Sequence, residues 1–236
     1  MQRASEMAEK VGQPLEIAYS GGKDSDVILT LAEMAGINHK GIYKCTTLDP
    51  HGTITHAKER GCVILPPKKS FKQCIVDAGF PSRFRRHCCA TLKEYKVYDY
   101  AVVGIRRDES AKRAARYKEP EECRVYSKKK KARHYFPILE WSAQDIEEFI
   151  RAEGIKCHPL YYDEDGNFHV ERRLGCIGCP LKSRKQRIED FKRHPNFIKL
   201  YTSGGGNTLI HTRITRATNI LKMLMSILFG RYSAIA

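Results

Sequence analysis

No stretch of this sequence reaches the ~18–20 uninterrupted apolar residues that a membrane-crossing helix needs, so no membrane span is expected. Its first residues, Met1–Lys10, are charged and lack the apolar run of a secretory leader. That predicts a cytoplasmic chain whose thiols stay reduced. Acidic residues are in deficit: 27 Asp and Glu face 42 Lys and Arg, a net charge of +15. So large an excess favours polyanionic partners, whether nucleotides, nucleic acid or an anionic surface, without choosing among them. There is no internal repeat. What is present is 236 residues, 42% of them hydrophobic, enough for one substantial core or one core with a small appendage.

Along the chain, Leu15–Ser20 is a short apolar run ending in Ser-Gly-Gly, and Val27, Ile28, Leu31, Ala32 and Ala35 follow at helical spacing. Strand, glycine turn and helix are the expected order. Further strands are expected at Gly41–Thr47, Cys62–Leu65 and Tyr100–Ile105, with a helix through His51–Arg60. Strands alternating with helices predict an α/β fold, a doubly wound and mostly parallel sheet covered on both faces. Arg124–Arg133, with the run Lys128–Lys131, reads as an exposed loop or edge. Ser142–Gly154 reads as a helix with Ser142 as cap, Asp145 at the capping-box position and Gly154 as stop. Phe168–Ser183 is a loop rich in turn residues and cysteine. A long helix is expected from about Thr208 to Phe229, as core or dimer interface, after a linker at Ser203–Gly206. The expected organisation is a nucleotide-binding and cysteine-ligated domain over 1–183, then a basic helical extension over 184–236.

The hexapeptide Ser20-Gly21-Gly22-Lys23-Asp24-Ser25 stands where the first strand ends and a helix begins. Two glycines let backbone amides approach an anion, the helix N-terminus adds partial positive charge, and Lys23 adds a full one. It is not a Walker loop, because Ile17 and Asp24 stand where that motif needs Gly and Ser/Thr. The hexapeptide resembles the PP-loop of the ATP-pyrophosphatase superfamily, SGGxDS, at all five specified positions. That resemblance implies an adenine-nucleotide α-hydrolase-like fold that holds the phosphates of ATP or the sulfate or phosphate end of an adenylyl-sulfate.

Cysteine supplies the second constellation. Of nine, Cys88 and Cys89 are adjacent, and Cys176 and Cys179 form a CxxC. Adjacent cysteines clamp one tetrahedral zinc poorly but can reach two irons of a cluster, and CxxC serves either metal. Spacing alone leaves zinc and iron–sulfur both open. Arg83, Arg85, Arg86, His87 and Lys93 stand ready to offset thiolate charge. Cys45, Cys62, Cys74, Cys123 and Cys157 read as packing residues.

Taken in order, the chain resembles the assimilatory adenylyl-sulfate and phosphoadenylyl-sulfate reductase family. The resemblance rests on Leu48-Asp49, on Arg86–Cys89 followed by Lys93, and on Val103–Ser110 with Arg113. It continues through Pro137–Trp141 with Asp145-Ile146, His158–Tyr161 and Gly175–Pro180, and so spans about Leu15–Leu181. It implies a 4Fe–4S cluster on Cys88, Cys89, Cys176 and Cys179, as in the adenylyl-sulfate branch. It also implies ATP or an adenylyl-sulfate held by Ser20, Gly21, Gly22, Lys23, Asp24, Ser25, Asp49, Arg106, Arg107 and Arg113. Mg²⁺ would lie on Asp24 or Asp49, and Lys23, Asp24, Arg106 and Arg107 would act catalytically.

One element of that family has no counterpart. The reductases attack sulfur with a cysteine in a C-terminal ECGLH element, and no cysteine follows Cys179 here. The expected function is therefore cleavage of ATP to AMP and pyrophosphate in support of sulfur transfer, with DNA or tRNA as acceptor and a sulfur-donor or reductant protein as partner. Related PP-loop iron–sulfur enzymes that thiolate tRNA or phosphorothioate DNA are the pattern for this. The alternatives are a sulfonucleotide reductase releasing sulfite and a non-catalytic nucleotide-binding subunit. A homodimer is compatible with either. The basic runs Lys128–Lys131 and Lys182–Lys192 read singly as solvated faces and together as a polyanion surface.

Overall fold

The computed structural model describes residues Met1–Ser203; the expected terminal helix at about 208–229 lies outside the described residues. Two compact units form, and they do not follow chain order. The first comprises Met1–Cys45, His51–Pro66 and Glu94–Leu174, and the second, among the described residues, Thr46–Pro50, Pro67–Lys93 and Gly175–Ser203. The expected segment 1–183 holds all of the first unit and part of the second.

The first unit holds a six-stranded sheet: β1 (Leu15–Tyr19), β2 (His39–Lys44), β3 (Val63–Leu65), β4 (Tyr100–Val102), β5 (Glu121–Ser127) and β6 (Lys130–Tyr135). Its spatial order is β3-β2-β1-β4-β6-β5, parallel except where β5 runs against β6. The helices of this unit are α1 (Gln2–Glu9), α2 (Lys23–Met34), α3 (Thr53–Glu59), α6 (Ala111–Arg116) and α7 (Ala143–Ala152). The architecture is α/β and mostly parallel, as the alternation of strand and helix implies. From β1 the chain builds outward through β2 and β3, then returns to the other side of β1 with β4. That reversal opens a crevice beyond the carboxyl ends of β1 and β4, the usual ligand position in open α/β sheets.

The core explains the elements. Leu15 and Ile17 of β1 and Val27, Ile28 and Ala32 of α2 are fully buried and share one apolar cluster. Each such aliphatic side chain contributes about 1.5–3 kcal/mol on burial. Helix α7 starts with the expected capping box: Asp145 N–H donates to Ser142 Oγ and Ser142 N–H to the Asp145 carboxylate. It buries Ile146 and Ile150, and stops before Gly154, which sits at φ +60°.

Where structure and expectation differ, packing decides. Strand β2 ends at Lys44, three residues before expected, because Thr47 turns at φ +62° and its Oγ1 accepts from Phe71 N–H at 3.0 Å in the second unit. Strand β4 ends at Val102 rather than Ile105. Gly104 passes so close to helix α2 that a Cβ there would lie 3.0 Å from the Asp24 carbonyl oxygen. The stretch Arg124–Arg133 is a hairpin and not a loop: β5 is the edge strand, while β6 lies inside the sheet, paired with β4 through Arg133–Tyr135. Glu121, Glu122 and Arg124 on β5 and the lysines at the hairpin turn keep that edge from pairing further.

The second unit is helical, with α4 (Phe71–Ala78), α5 (His87–Leu92), α8 (Arg184–Arg193) and α9 (Asn196–Ser203). Its core gathers Leu48, Phe71, Ile75, Leu92, Ile177, Phe191, Ile198 and Tyr201. The Tyr201 ring lies 5.0 Å from Phe71 and 5.2 Å from Phe191.

Candidate functional site

The Ser20–Ser25 loop joins β1 to α2 on the first unit's crevice. Gly21 stands at φ +77°, and a Cβ on it would meet Thr53 Cγ2 at 2.7 Å and Leu174 Cδ2 at 3.2 Å. Only glycine satisfies both the left-handed backbone and the space. Gly22 caps α2 with extended geometry, and Ser25 Oγ donates to its carbonyl at 2.6 Å. Ser20 Oγ accepts from Gly22 N–H at 3.4 Å and donates to Ser25 Oγ at 3.2 Å. The two serines thus shape the loop as well as offering hydroxyls.

Charge is concentrated just behind it. Lys23 is buried, its Nζ 3.1 Å from Asp24 Oδ2 and 5.6 Å from the centre of the Tyr161 ring. Arg106, also buried, donates from Nε to Asp24 Oδ1 at 2.7 Å and from Nη1 to Asp108 and to the Trp141 carbonyl, both at 3.2 Å. Asp24 therefore has a cation on each oxygen. Asp24 thus draws the loop lysine and the arginine that follows β4 to one carboxylate.

Arg107 and Arg113 are placed otherwise. Arg107 donates to the carbonyls of Tyr117 (2.7 Å) and Lys118 and pairs with Glu140. Arg113 pairs with Glu109 one turn earlier. Asp49 belongs to the second unit, where Oδ2 accepts from Thr46 N–H at 2.8 Å and Oδ1 from Thr46 Oγ1 at 2.9 Å. Both of its oxygens serve a turn.

Sequence reasoning missed a buried polar group under the loop. Asp26 is fully buried; Tyr19 Oη donates to its Oδ1 at 2.5 Å, and His56 Nε2 lies 3.1 Å from both oxygens. Burial, and then the Asp26 charge, push the Tyr19 phenol well above its usual range. Burial likewise raises the Cys62 thiol to about 12 and the Cys157 thiol further still, so both are protonated packing groups. The Tyr161 hydroxyl accepts the backbone N–H groups of Leu174, at 3.3 Å, and of Lys23. Asp26 sits in the SGGKDSD run, and that adjacency was the available signal. His56 comes from a distant segment and left none, while Tyr161 stood in the His158–Tyr161 segment of the resemblance without a role assigned to it.

In the second unit, Cys88, Cys89, Cys176 and Cys179 line one cavity with Thr46, Lys93 and apolar walls. The first pair rides on α5. The second pair brackets a turn fastened on three sides: Ile177 N–H donates to Leu48 O at 2.8 Å, Gly178 N–H to Asp190 Oδ2 at 2.9 Å, and Tyr201 Oη to Ile177 O at 3.0 Å. Gly178 stands at φ +70°, and a Cβ there would meet Phe191 Cζ at 2.6 Å. A hydrogen bond from Cys89 lowers the Cys88 thiol pKa, while burial raises that of Cys179. Burial opposes the charge on Lys93, yet Cys176, Asp49 and Cys89 outweigh it and hold its pKa above the usual value. Among the described residues no three His, Cys, Asp or Glu side chains converge to hold a single metal ion, and no helix is long and apolar enough to cross a membrane.

An uncharacterised protein of Methanocaldococcus jannaschii is 30% identical over 211 residues, covering 82% of this chain and 48% of that one. Sulfate adenylyltransferase subunit 2 of Bacteroides thetaiotaomicron is 27% identical over 194 residues, covering 68% of this chain and 64% of its own. The chain thus spans about half of the archaeal relative and under two thirds of the bacterial one. Among solved structures, phosphoadenylyl-sulfate reductase from Candida auris aligns over 74% of this chain and 87% of its own, at 14% identity and a TM-score of 0.49. The match that decides membership covers residues 14–182, the span of both the phosphate loop and the four cavity cysteines, and by it this chain belongs to the phosphoadenosine phosphosulfate reductase domain family.

Proposed function

We propose that the chain binds ATP on the Ser20–Ser25 loop and cleaves it to AMP and pyrophosphate in support of sulfur transfer, with nucleic acid as the acceptor. The observation that carries the reading is the loop itself: a turn only glycine can make, at the N-terminus of α2 and the crevice of the sheet, with buried Lys23 and Arg106 behind it. In this reading the amides of Gly21 and Gly22, the Ser20 hydroxyl and Lys23 take the β- and γ-phosphates. An oxygen of the acceptor attacks the α-phosphorus, the bond to the β-phosphate breaks, and pyrophosphate leaves with the electron pair. A sulfide-level nucleophile from the donor then attacks the adenylylated acceptor atom, and AMP leaves with the acceptor's oxygen and that bond's electron pair. Lys23 and Arg106 offset the charge that develops there, with Asp24 holding both cations in place. Magnesium enters on the phosphates, completing its shell with water and an Asp24 oxygen.

Arg107 and Arg113 exchange their carboxylate partners for phosphate as nucleotide enters. Those partly exposed pairs are worth at most about 1 kcal/mol each, so a phosphate displaces them readily. The four cavity thiols fit a 4Fe–4S group, which offers a separate iron to each thiolate, better than a lone ion, which needs its donors converged. Cys88, Cys89, Cys176 and Cys179 would hold it, and Lys93 would offset its negative charge. When bound, such a cluster supplies sulfur or electron transfer.

The family match over residues 14–182 favours a second reading, reduction of a sulfonucleotide with release of sulfite. Anaerobically purified protein, assayed for iron and sulfide and then incubated with ATP or either sulfonucleotide, separates the two. The first reading expects AMP and pyrophosphate from ATP, lost in Lys23→Ala, and iron lost in a Cys176→Ser, Cys179→Ser double variant. Absence of ATP turnover in iron-loaded protein overturns it, and thiol-dependent sulfite release establishes the second.

A further inference from the structure

The net charge of the chain is not shared evenly. The first unit carries 24 Lys and Arg against 23 Asp and Glu, a net of +1. The described residues of the second carry 14 against 4, a net of +10. A nucleotide pocket in the first unit does not account for that surplus.

Within the second unit one turn stands out. Ser82-Arg83-Phe84-Arg85-Arg86 precedes α5 and its cysteine pair. Phe84 is 101% exposed, while no other exposed large hydrophobic among the described residues passes 59%. The turn is built and not frayed: Ser82 N–H donates to Arg85 O at 3.0 Å, and Arg85 N–H to Ser82 Oγ at 3.1 Å. Arg83 Nε donates to Pro180 O at 3.2 Å, tying the turn to the segment after Cys179. A closed turn thus holds an aromatic ring out in water with arginines on both sides. Among the described residues neither Arg85 nor Arg86 has an acidic partner within ion-pair distance, and Arg184 and Lys185 of α8 add exposed charge in the same unit.

We infer that this turn is a docking site for unpaired nucleic acid, Phe84 stacking on a splayed base while Arg85 and Arg86 meet the flanking phosphates. Stacking on an aromatic face is indifferent to sequence, and guanidinium groups fit phosphate oxygens. A partner protein would bury Phe84 equally well, but it would not account for two unpaired arginines beside the ring or the surplus of ten. The inference rests on the proposed sulfur transfer for the acceptor's identity, and it places that acceptor next to the helix carrying Cys88 and Cys89. It requires neither ATP cleavage nor the cluster.

The test is fluorescence polarisation with a labelled single-stranded 12-mer, as DNA and as RNA, on the full chain without nucleotide. Phe84→Ala is expected to weaken single-strand binding about tenfold, Phe84→Trp to retain it and Phe84→Leu to fail to restore it. The double variant Arg85→Gln, Arg86→Gln should flatten the salt dependence by about one to two ions. Phe84→Ala should leave ATP binding unchanged, so that loss of nucleic-acid binding and failure of the nucleotide site are told apart. Wild-type affinity in Phe84→Ala overturns the inference. So does equal competition by polyglutamate, which would reduce the binding to bulk charge. A change of sedimenting mass in Phe84→Ala also overturns it, by making the turn an interface between copies of this chain.

Discussion

The two units of this chain solve different physical problems. The first buries a mostly parallel sheet between helices, balances its charges to +1 and gathers most of its buried polar groups around one loop. The second is a small helical body whose described residues stand at +10, whose core rests on a few aromatics and whose cavity is walled by four thiols. The difference teaches where to look for each partner. Recognition of a nucleotide needs a rigid turn with a few exact cations, which the neutral unit supplies. Recognition of a long polyanion needs surplus charge on exposed side chains, which only the other unit has.

Four substitutions sharpen or break that contrast. The largest stability effect belongs to the first unit: Asp26→Ala strands a buried tyrosine and histidine and is expected to cost about 3–5 kcal/mol. Urea titration followed by Trp141, the single tryptophan and a residue of that unit, measures it. A cost under about 1 kcal/mol would show the buried group to be dispensable.

Lys23→Ala comes next. It should lower the ATP cleavage rate at least about a hundredfold, near 2.7 kcal/mol, while the iron content of the protein is unchanged. Equal loss of iron would dissolve the distinction between the units.

In the second unit, Gly178→Ala forces a Cβ into Phe191 and a side chain into the left-handed region. The combined strain is expected to cost about 2 kcal/mol and to reduce iron retention, read by colorimetric iron assay. Retained iron at wild-type stability would show that the turn tolerates the added carbon.

The last effect is a slope with pH, absent at neutrality. Burial, then the charges of Arg124 and Lys44, push the His134 ring down to about 4, and Tyr126 Oη lies 3.0 Å from its Nε2. A depressed folded pKa means the unfolded chain binds the extra proton. Stability is therefore full above the unfolded value of about 6.5 and falls as pH drops toward 4, by up to about 1.4 kcal/mol per pH unit. His134→Gln should remove about one proton from that slope in urea titrations between pH 7 and 4.5, and an unchanged slope would assign the effect elsewhere.

Local pattern carried a good deal of this molecule. The apolar run at Leu15–Tyr19, the paired glycines and the helical spacing after Ser25 suffice for β1, loop and α2, because each is specified by neighbours in sequence. The same holds for α7, whose capping box and glycine stop lie within thirteen residues. The Arg124–Arg133 hairpin was not legible, since its lysines are solvated in a loop and on an edge strand alike; only the pairing of β6 with β4 separates the two. Nor was the approach of His56 and Tyr161 to the loop, since both reach it from later segments.

Sequence by itself determined the phosphate loop, the family and the four cysteines, because those are matters of residue type and short spacing. Tertiary structure alone decided that Asp24 is clasped by Lys23 and Arg106, that Asp49 serves a turn in the other unit, and that three separate stretches of chain form one charged body with a bare phenylalanine on its surface. Such facts depend on which distant segments pack together. That is settled by the burial of side chains against one another and not by any local preference of the backbone.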